Sequence, residues 1–323
     1  MQWKYLLAVV CAGACNASVA QTAQAQYPTK PIRFIVPFPP GGGTDIVART
    51  INLRLSERLG QTVLIDNRGG ANAIIGTDLA AKAPADGYTM LICLQANMVV
   101  NPLLYRDLPY DPSRDFAPVL QLTTIAQMLT VHPGLPVKSV TELIQFARSQ
   151  PGKLTYGSSG TGGSSHLATV LFNTMTQLNM VHVPYKGGGP AVNDLVGGQI
   201  NVYAGTVLSL VPFVKAGRVR ALGVTTEKRL AAFPDLPAIA ETLPGYEAGV
   251  WQGLVVPKGT PDAIVQRLNR EINAILKMPD IQERLTAGGA EPIGGSAAAF
   301  SRWIKKDTAK VAKLIKDAGI KVN

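Results

Sequence analysis

Three clusters of glycine break this chain where an apolar run gives way to a helical pattern: Pro39-Pro40-Gly41-Gly42-Gly43-Thr44-Asp45, Gly157-Ser158-Ser159-Gly160-Thr161-Gly162-Gly163-Ser164, and Lys186-Gly187-Gly188-Gly189-Pro190. Glycine lets the backbone approach a ligand closely, and a helix start offers unpaired N–H groups with about half a positive charge. Such turns suit anion binding by amides and hydroxyls. None has Gly-Lys-Ser/Thr at Walker spacing and none completes Gly-x-Gly-x-x-Gly, which argues against a nucleotide and leaves carboxylates or a small phosphate. The turns could also be tight connections with no ligand, a reading that weakens as their number grows. Because neither of the two longer turns contains Arg or Lys, backbone geometry at Gly42 and Gly162 is expected to matter more than any one charged side chain.

Single side chains are less decisive. Asp45 reads first as a first-turn acid that suits the helix dipole, and second as a contact for an amino or hydroxyl group of a ligand. Lys186 could pair with an anion or merely flank its turn. Trp251 could floor a cleft or fill a core. The three histidines, His132, His166 and His182, have no metal-ligand spacing among them. There is no Gly-x-Ser-x-Gly nucleophile elbow. Ser164, Ser165 and His166 are adjacent, but adjacency on a helix does not make a nucleophile and base pair; His166 is expected to order its loop or touch ligand.

The elements that must position these turns alternate. Strand patterns at Ile32 to Phe38, Thr62 to Asp66 and Tyr88 to Leu94 are separated by helical patterns at Thr44 to Leu59 and Asn72 to Lys82. A second series has strands at Met128 to His132, Leu154 to Gly157, Met180 to Pro184, Ile200 to Ala204 and Val219 to Thr225, with helices at Ser139 to Ser149, opened by a Ser-x-x-Glu capping box, and Ser164 to Leu178. The first style then resumes with a strand at Gly249 to Val256, a helix at Pro261 to Lys277, a short helix from Pro279 and a long amphipathic one at Ser296 to Ala318. This order predicts an α/β protein with mainly parallel sheets flanked by helices. One lobe (26–124 and 248–323, with the C-terminal helix) is interrupted by another (125–247). The chain would cross between them near Gln121 to Ile125 and Glu247 to Trp251, and two crossings make a two-strand hinge over a closing cleft.

Residues 1–25 have a charged head with Lys4, an apolar run from Tyr5 to Ala14, and small residues ending Ala23-Gln24-Ala25. That is the layout of a secretory signal peptide cleaved near Ala25, and the apolar run is short of the roughly 20 residues a membrane span needs. Periplasmic export is therefore expected. Two of the three cysteines fall in this leader, leaving Cys93 with no intramolecular partner. With 31 Lys and Arg against 21 Asp and Glu, the chain carries a net charge of +10. The charges are dispersed, and their densest cluster, Arg302 to Lys316, alternates with apolar positions like the solvated face of a helix. Nucleic acid is not an expected partner.

Longer motifs carry a family resemblance. They include Tyr27-Pro28-x-Lys30-Pro31-Ile32 followed by Val36-Pro37-Phe38-x-x-Gly41-Gly42-x-x-Asp45, and Asp66-Asn67-Arg68-x-Gly70-Ala71. Others are Tyr156-Gly157-Ser158-x-Gly160-x-Gly162-x-x-x-His166-Leu167, Val183-Pro184-Tyr185-Lys186-Gly187, and Trp251-x-Gly253-Leu254-x-x-Pro257-x-Gly259-Thr260-Pro261. Together they resemble the Bug family, the extracytoplasmic binding proteins of tripartite tricarboxylate transport systems. The resemblance implies a type II periplasmic binding protein fold, monomeric and without catalysis, that hands a small carboxylate ligand to integral membrane subunits. It also implies a site built from Phe38, Pro39, Gly41, Gly42, Gly43, Thr44 and Asp45 in the first lobe. From the second lobe come Ser158, Ser159, Gly160, Thr161, Gly162, Ser164 and His166, with Lys186, Gly187 and Gly188 nearby. Where many relatives carry a polar group after the strand near Ile200, this chain has Tyr203-Ala204-Gly205-Thr206, so Thr206 is a candidate contact in an altered distal pocket. The same cleft would also suit a ligand sensor for a membrane signalling receptor or, on the same fold, a hydrolase. No residue chooses among dicarboxylates, tricarboxylates, amino acids, aromatic acids and nicotinate-like compounds.

Overall fold

A computed structural model describes residues 27–317, so the expected leader over residues 1–25 and its cleavage point lie outside the described residues. The first series comprises β1 (Ile32–Val36), α1 (Gly43–Leu59), β2 (Val63–Asn67), α2 (Ile74–Ala81) and β3 (Thr89–Leu94). A π-helical turn at Ala96–Val100 leads through the short α3 (Asn101–Leu104) and α4 (Pro112–Asp115) into the long β4 (Phe116–Val131). The second series is α5 (Val140–Ser149), β5 (Thr155–Ser158), α6 (Ser164–Thr176), β6 (Val181–Pro184), α7 (Gly188–Val196), β7 (Val202–Thr206), α8 (Val207–Lys215) and β8 (Arg220–Val224). The chain then returns through β9 (Gly249–Pro257), α9 (Asp262–Leu276), α10 (Pro279–Thr286), β10 (Ala290–Gly294) and α11 (Ala297–Asp317).

The strands lie in the order β2-β1-β3-β9-β4-β7-β5-β6, with β8 and β10 also on β4. Pairing is parallel around β1 and around β5, as crossover helices require, and antiparallel wherever β4 or β9 takes part. The two lobes thus share one curled sheet. Strand β4 joins them, pairing with β9 as far as Ala126 and with β7 from Gln127. Irregularities at Pro118/Leu120 and Gln121/Thr123 bend it on the way.

Apolar spacing explains the helices. On α1, Val47, Ile51, Leu55 and Leu59 recur every fourth position and are buried against Ile32, Phe34 and Val36 of β1. Gly60 ends that helix at φ 69°, a left-handed cap that favours glycine. Leu143, Phe172, Tyr156 and Val202 build a separate core under α5 and α6. Ser139 caps α5 by accepting from Glu142 N at 3.1 Å, but Glu142 Oε2 accepts from Lys138 N rather than from Ser139, so the capping box is only half made. The helix α8 and the strand β10 have no counterpart in the pattern reading. Pro212 sits inside α8, and Glu291 and Pro292 interrupt β10. Both local signals contradict the element formed, and packing overrides them.

Candidate functional site

Four helices begin at one place. Gly42 precedes α1, Gly163 precedes α6, Gly187 precedes α7 and Thr206 precedes α8, and none of the four contributes a side-chain capping hydrogen bond. Residues at all four starts line a single cavity of about 50 Å³ between the lobes: Gly42, Gly43 and Thr44, Gly163, Ser164 and Ser165, Gly188, and Thr206 with Ser209. Each helix start presents orphan amides and roughly half a positive charge. Phe38, Leu94, Ala96 and Val250 supply an apolar wall, while Gln127, Gln252, Ser159 and Tyr203 add polar groups; no Lys, Arg, Asp or Glu lines it. Burial pushes the Tyr203 phenol well above its ordinary range, so it stays a neutral hydroxyl.

Of the residues named from sequence, Phe38, Gly42, Gly43, Thr44, Ser159, Ser164, Gly188 and Thr206 line this cavity. The others do not line it. Gly41 N donates to Asp45 Oδ2 at 3.0 Å, Arg49 Nε donates to the same oxygen at 2.9 Å, and Asn67 Nδ2 donates to Asp45 Oδ1 at 2.9 Å. Burial opposes the Asp45 charge, but these bonds outweigh it and hold the carboxyl below its usual range. Asp45 therefore fixes the shape of the first loop. Replacing it with alanine should cost about 2–4 kcal/mol by orphaning these donors, measurable as a fall in the urea unfolding midpoint together with weaker ligand binding.

The second loop has a similar backing. Gly162 N donates to His166 Nδ1 at 3.1 Å, Ser158 Oγ and His182 Nε2 are 2.6 Å apart, and Gly160 N donates to Ser158 Oγ at 3.2 Å. The His166 and His182 rings stack at 4.2 Å, with Tyr156 on His182 at 4.9 Å. Burial, with the neighbouring His182 adding to it, lowers His166 to about 4, and burial lowers His182 as well. Both are neutral near pH 7. Gly160 and Gly162, at φ 132° and 79°, make the turn above them. Thr161 is half-buried beside them and Lys186 is exposed; neither lines the cavity.

Contacts across the cleft show the lobes together. A Cβ added at Gly43 would stand 2.5 Å from Thr206 Oγ1, and one at Gly187 would stand 2.8 Å from Pro39 Cδ. Strand alternation places Val250 and Gln252 toward the cavity. Trp251 between them turns the other way, donating from Nε1 to Asp307 Oδ2 at 2.7 Å and meeting Phe300 edge-on, so it is a core residue. Sequence reasoning missed Gln127, Gln252, Ser165 and Ser209. Only the fold shows that these positions face the cleft. Among the described residues, no group of three or more His, Cys, Asp or Glu is placed to hold a metal ion.

The model of the tripartite tricarboxylate transporter family receptor matches residues 47–320. The chain belongs to this receptor family. It is similar to protein BugT of Bordetella pertussis, 35% identical over 325 residues and spanning 100% of both chains. Among solved structures it is similar to Rpa4515 of R. palustris with adipate, at 41% identity and a TM-score of 0.90, over 92% of this chain and 99% of that one. It is also similar to MatC from Rhodopseudomonas palustris with bound malate, at 30% identity and a TM-score of 0.85, over 90% of this chain and 100% of that one. The Bug-type resemblance in the sequence is thereby established, as is the two-lobed α/β fold of a periplasmic binding protein. Receptors of this family are solute-binding proteins.

Proposed function

We propose that this chain is exported, loses its leader near Ala25, and as a monomer closes two lobes around a small carboxylate-bearing solute for delivery to the integral membrane subunits of a tripartite tricarboxylate transporter. The observation that carries this reading is the convergence of four uncapped helix N-termini, two or more turns long and drawn from both lobes, on a cavity with no charged side chain. A carboxylate there meets amides and hydroxyls, with its charge offset by helix dipoles. The adipate and malate of the two similar structures support the same ligand class. Lobes at 26–124 with 248–323 and at 125–247 would swing on β4 and on the segment entering β9. Ala248 N in that segment donates to Thr225 O, just after β8, and Thr225 N donates to Gln127 O on β4.

The ligand is held, not converted. The Ser158–His182 pair resembles a nucleophile and base, but Ser158 is fully buried and lies off the cavity lining, out of reach of a bound molecule. Calorimetry with carboxylic acids and their carboxamides tests the proposal. Carboxylates should bind at least about 100-fold more tightly, because the dipoles and amides favour charge. Lys186→Ala should change affinity less than about twofold, since an exposed ammonium off the lining is screened. Equal binding of the amides, or loss of binding in Lys186→Ala, would replace the amide cradle with another mechanism.

A further inference from the structure

Away from the cleft, the second lobe carries a groove of about 590 Å³ between α8 and residues 232–236, with β8 at its base. Val211, Val214, Phe233 and Leu236 give it apolar walls. Strand β8 is an edge: it pairs along its length with β4 alone, and on its other side only Val224 meets a neighbour, Ala238. Gln127 O accepts from Thr225 N, and His132 N donates to Asn201 O beside β7. Backbone groups alternate in direction along a strand, so those of Gln127, Leu129 and Val131 face β8 and those of Thr130 face β7. Ala221 lies opposite Thr130, which makes theirs a non-hydrogen-bonded pair and turns the Ala221 N–H and C=O outward, to the groove that this residue lines. Val224 N donates to Pro237 O and Val219 N to Phe213 O. The outer edge of β8 is thus closed on either side of Ala221 and open at it.

The charge around this opening is positive. Lys215 and Arg220 line the groove, Arg218 stands exposed between the lining residues Gly217 and Val219, and Asp235 is the one carboxylate of the lining. Arg220 Nη1 donates to the main-chain carbonyls of Leu135 and Val137. Among the described residues, none of the three cations forms an ion pair. A second copy of this chain would bring its own cations against them, which disfavours self-pairing at the edge, whereas a segment carrying Asp or Glu complements them.

Resting on the delivery reading above, we infer that this edge docks a short, extended, acidic segment of the transporter's membrane subunits. The segment adds to β8 through the N–H and C=O of Ala221, turns alternate apolar side chains into the groove walls, and sets a carboxylate against Lys215 and Arg218. None of these contacts uses the solute cleft. Strand β8 runs on to Thr225, whose N–H and C=O join Gln127 to Ala248 at the crossing between the lobes. A strand added at Ala221 therefore bears on the segment about which the lobes open.

Two probes test the inference on the full chain. The peptide Val-Glu-Val-Glu-Val, blocked at both ends, should shift the Ala221 backbone amide of the labelled protein, and Val-Lys-Val-Lys-Val should not. Nanodiscs holding the membrane subunits should bind the receptor at least about tenfold more tightly than they bind Lys215→Glu with Arg218→Glu, whose reversed charges repel the acidic segment. Ala221→Pro should weaken docking similarly, because it removes the outward donor and leaves the ladder to β4 untouched. Both variants should keep the wild-type affinity for carboxylates in calorimetry, which also shows that they fold. If carboxylates bind but the acidic peptide leaves Ala221 unmoved, or the charge-reversed receptor docks as the wild type does, the inference is overturned and the solute reading stands. Equal binding to empty nanodiscs of the same lipids would overturn it in favour of a lipid surface. Failure of the wild type to bind any carboxylate would sink the solute reading separately, since neither probe touches the cleft.

Discussion

Gly43→Ala should reduce ligand affinity by at least about 100-fold while leaving each lobe folded. A methyl group at this position would lie 2.5 Å from Thr206 Oγ1 and 3.0 Å from both Thr206 Cβ and Cγ2. Thr206 cannot swing aside, because its Cβ is itself in the clash and its branched side chain has few rotamers. The contact joins the first lobe to the second, so the alanine obstructs closure and not the folding of either core. Calorimetry should show the loss, and solution scattering should show that ligand no longer shrinks the radius of gyration as it does for the wild type. Gly42→Ala is the control. Its φ is −80° and the nearest atom to an added Cβ is Gly189 N at 3.8 Å, so affinity should fall less than about tenfold. The adjacent glycines look equivalent in sequence, and only Gly43 stands at the closing contact. Wild-type affinity in Gly43→Ala would mean that the closed arrangement is not the ligand-bound one.

Acid should release the ligand and destabilise the second lobe through its histidines. His166 titrates near 4 in the folded chain against an ordinary 6.5, so the unfolded chain takes up the proton first as pH falls. The stabilisation is complete above about pH 6.5 and is lost progressively down to about pH 4, a difference of about 3 kcal/mol for a shift of this size. His182 is lowered in the same direction. The geometry explains the cost. Protonating Nδ1 removes the acceptor for Gly162 N and sets a charge 4.2 Å from the His182 ring in a buried stack. Thermal unfolding between pH 7 and pH 4 should fall steeply in the wild type and less in His166→Asn, whose amide oxygen can accept from Gly162 without titrating. Identical slopes in the two proteins would assign the acid sensitivity elsewhere.

The parts of the site legible in sequence are those whose local chemistry is unusual. Glycine before a helix is such a signal, and it led to Gly42, Gly43, Thr44, Ser159, Ser164 and Gly188, all of which line the cavity. Asp45 reads from sequence first as an acid on the helix dipole and second as a ligand contact, and His166 as ordering its loop or touching ligand; in the structure both hydrogen-bond to loop amides, Asp45 to Gly41 N and His166 to Gly162 N. The fourth helix start was legible only as Thr206, because α8 behind it is an apolar run with Pro212 in its middle. Gln127 and Gln252 carry no local signal, since a glutamine in a strand is ordinary until the curl of the sheet brings two strands under one cleft. For the same reason the first crossing reads from sequence as a short segment near Gln121 to Ile125. It is in fact the interior of a 16-residue strand that changes partner after Ala126.

The central claim is that one carboxylate is held by helix starts from both lobes at once. Backbone amide chemical shifts during titration of the labelled protein with a bound carboxylate measure this directly. The account predicts that the first amides of α1, α6, α7 and α8, at Gly43 and Thr44, Ser164 and Ser165, Gly188 and Gly189, and Val207, shift together with one midpoint. Shifts confined to one lobe, or centred on Lys186 with these amides unmoved, would contradict it.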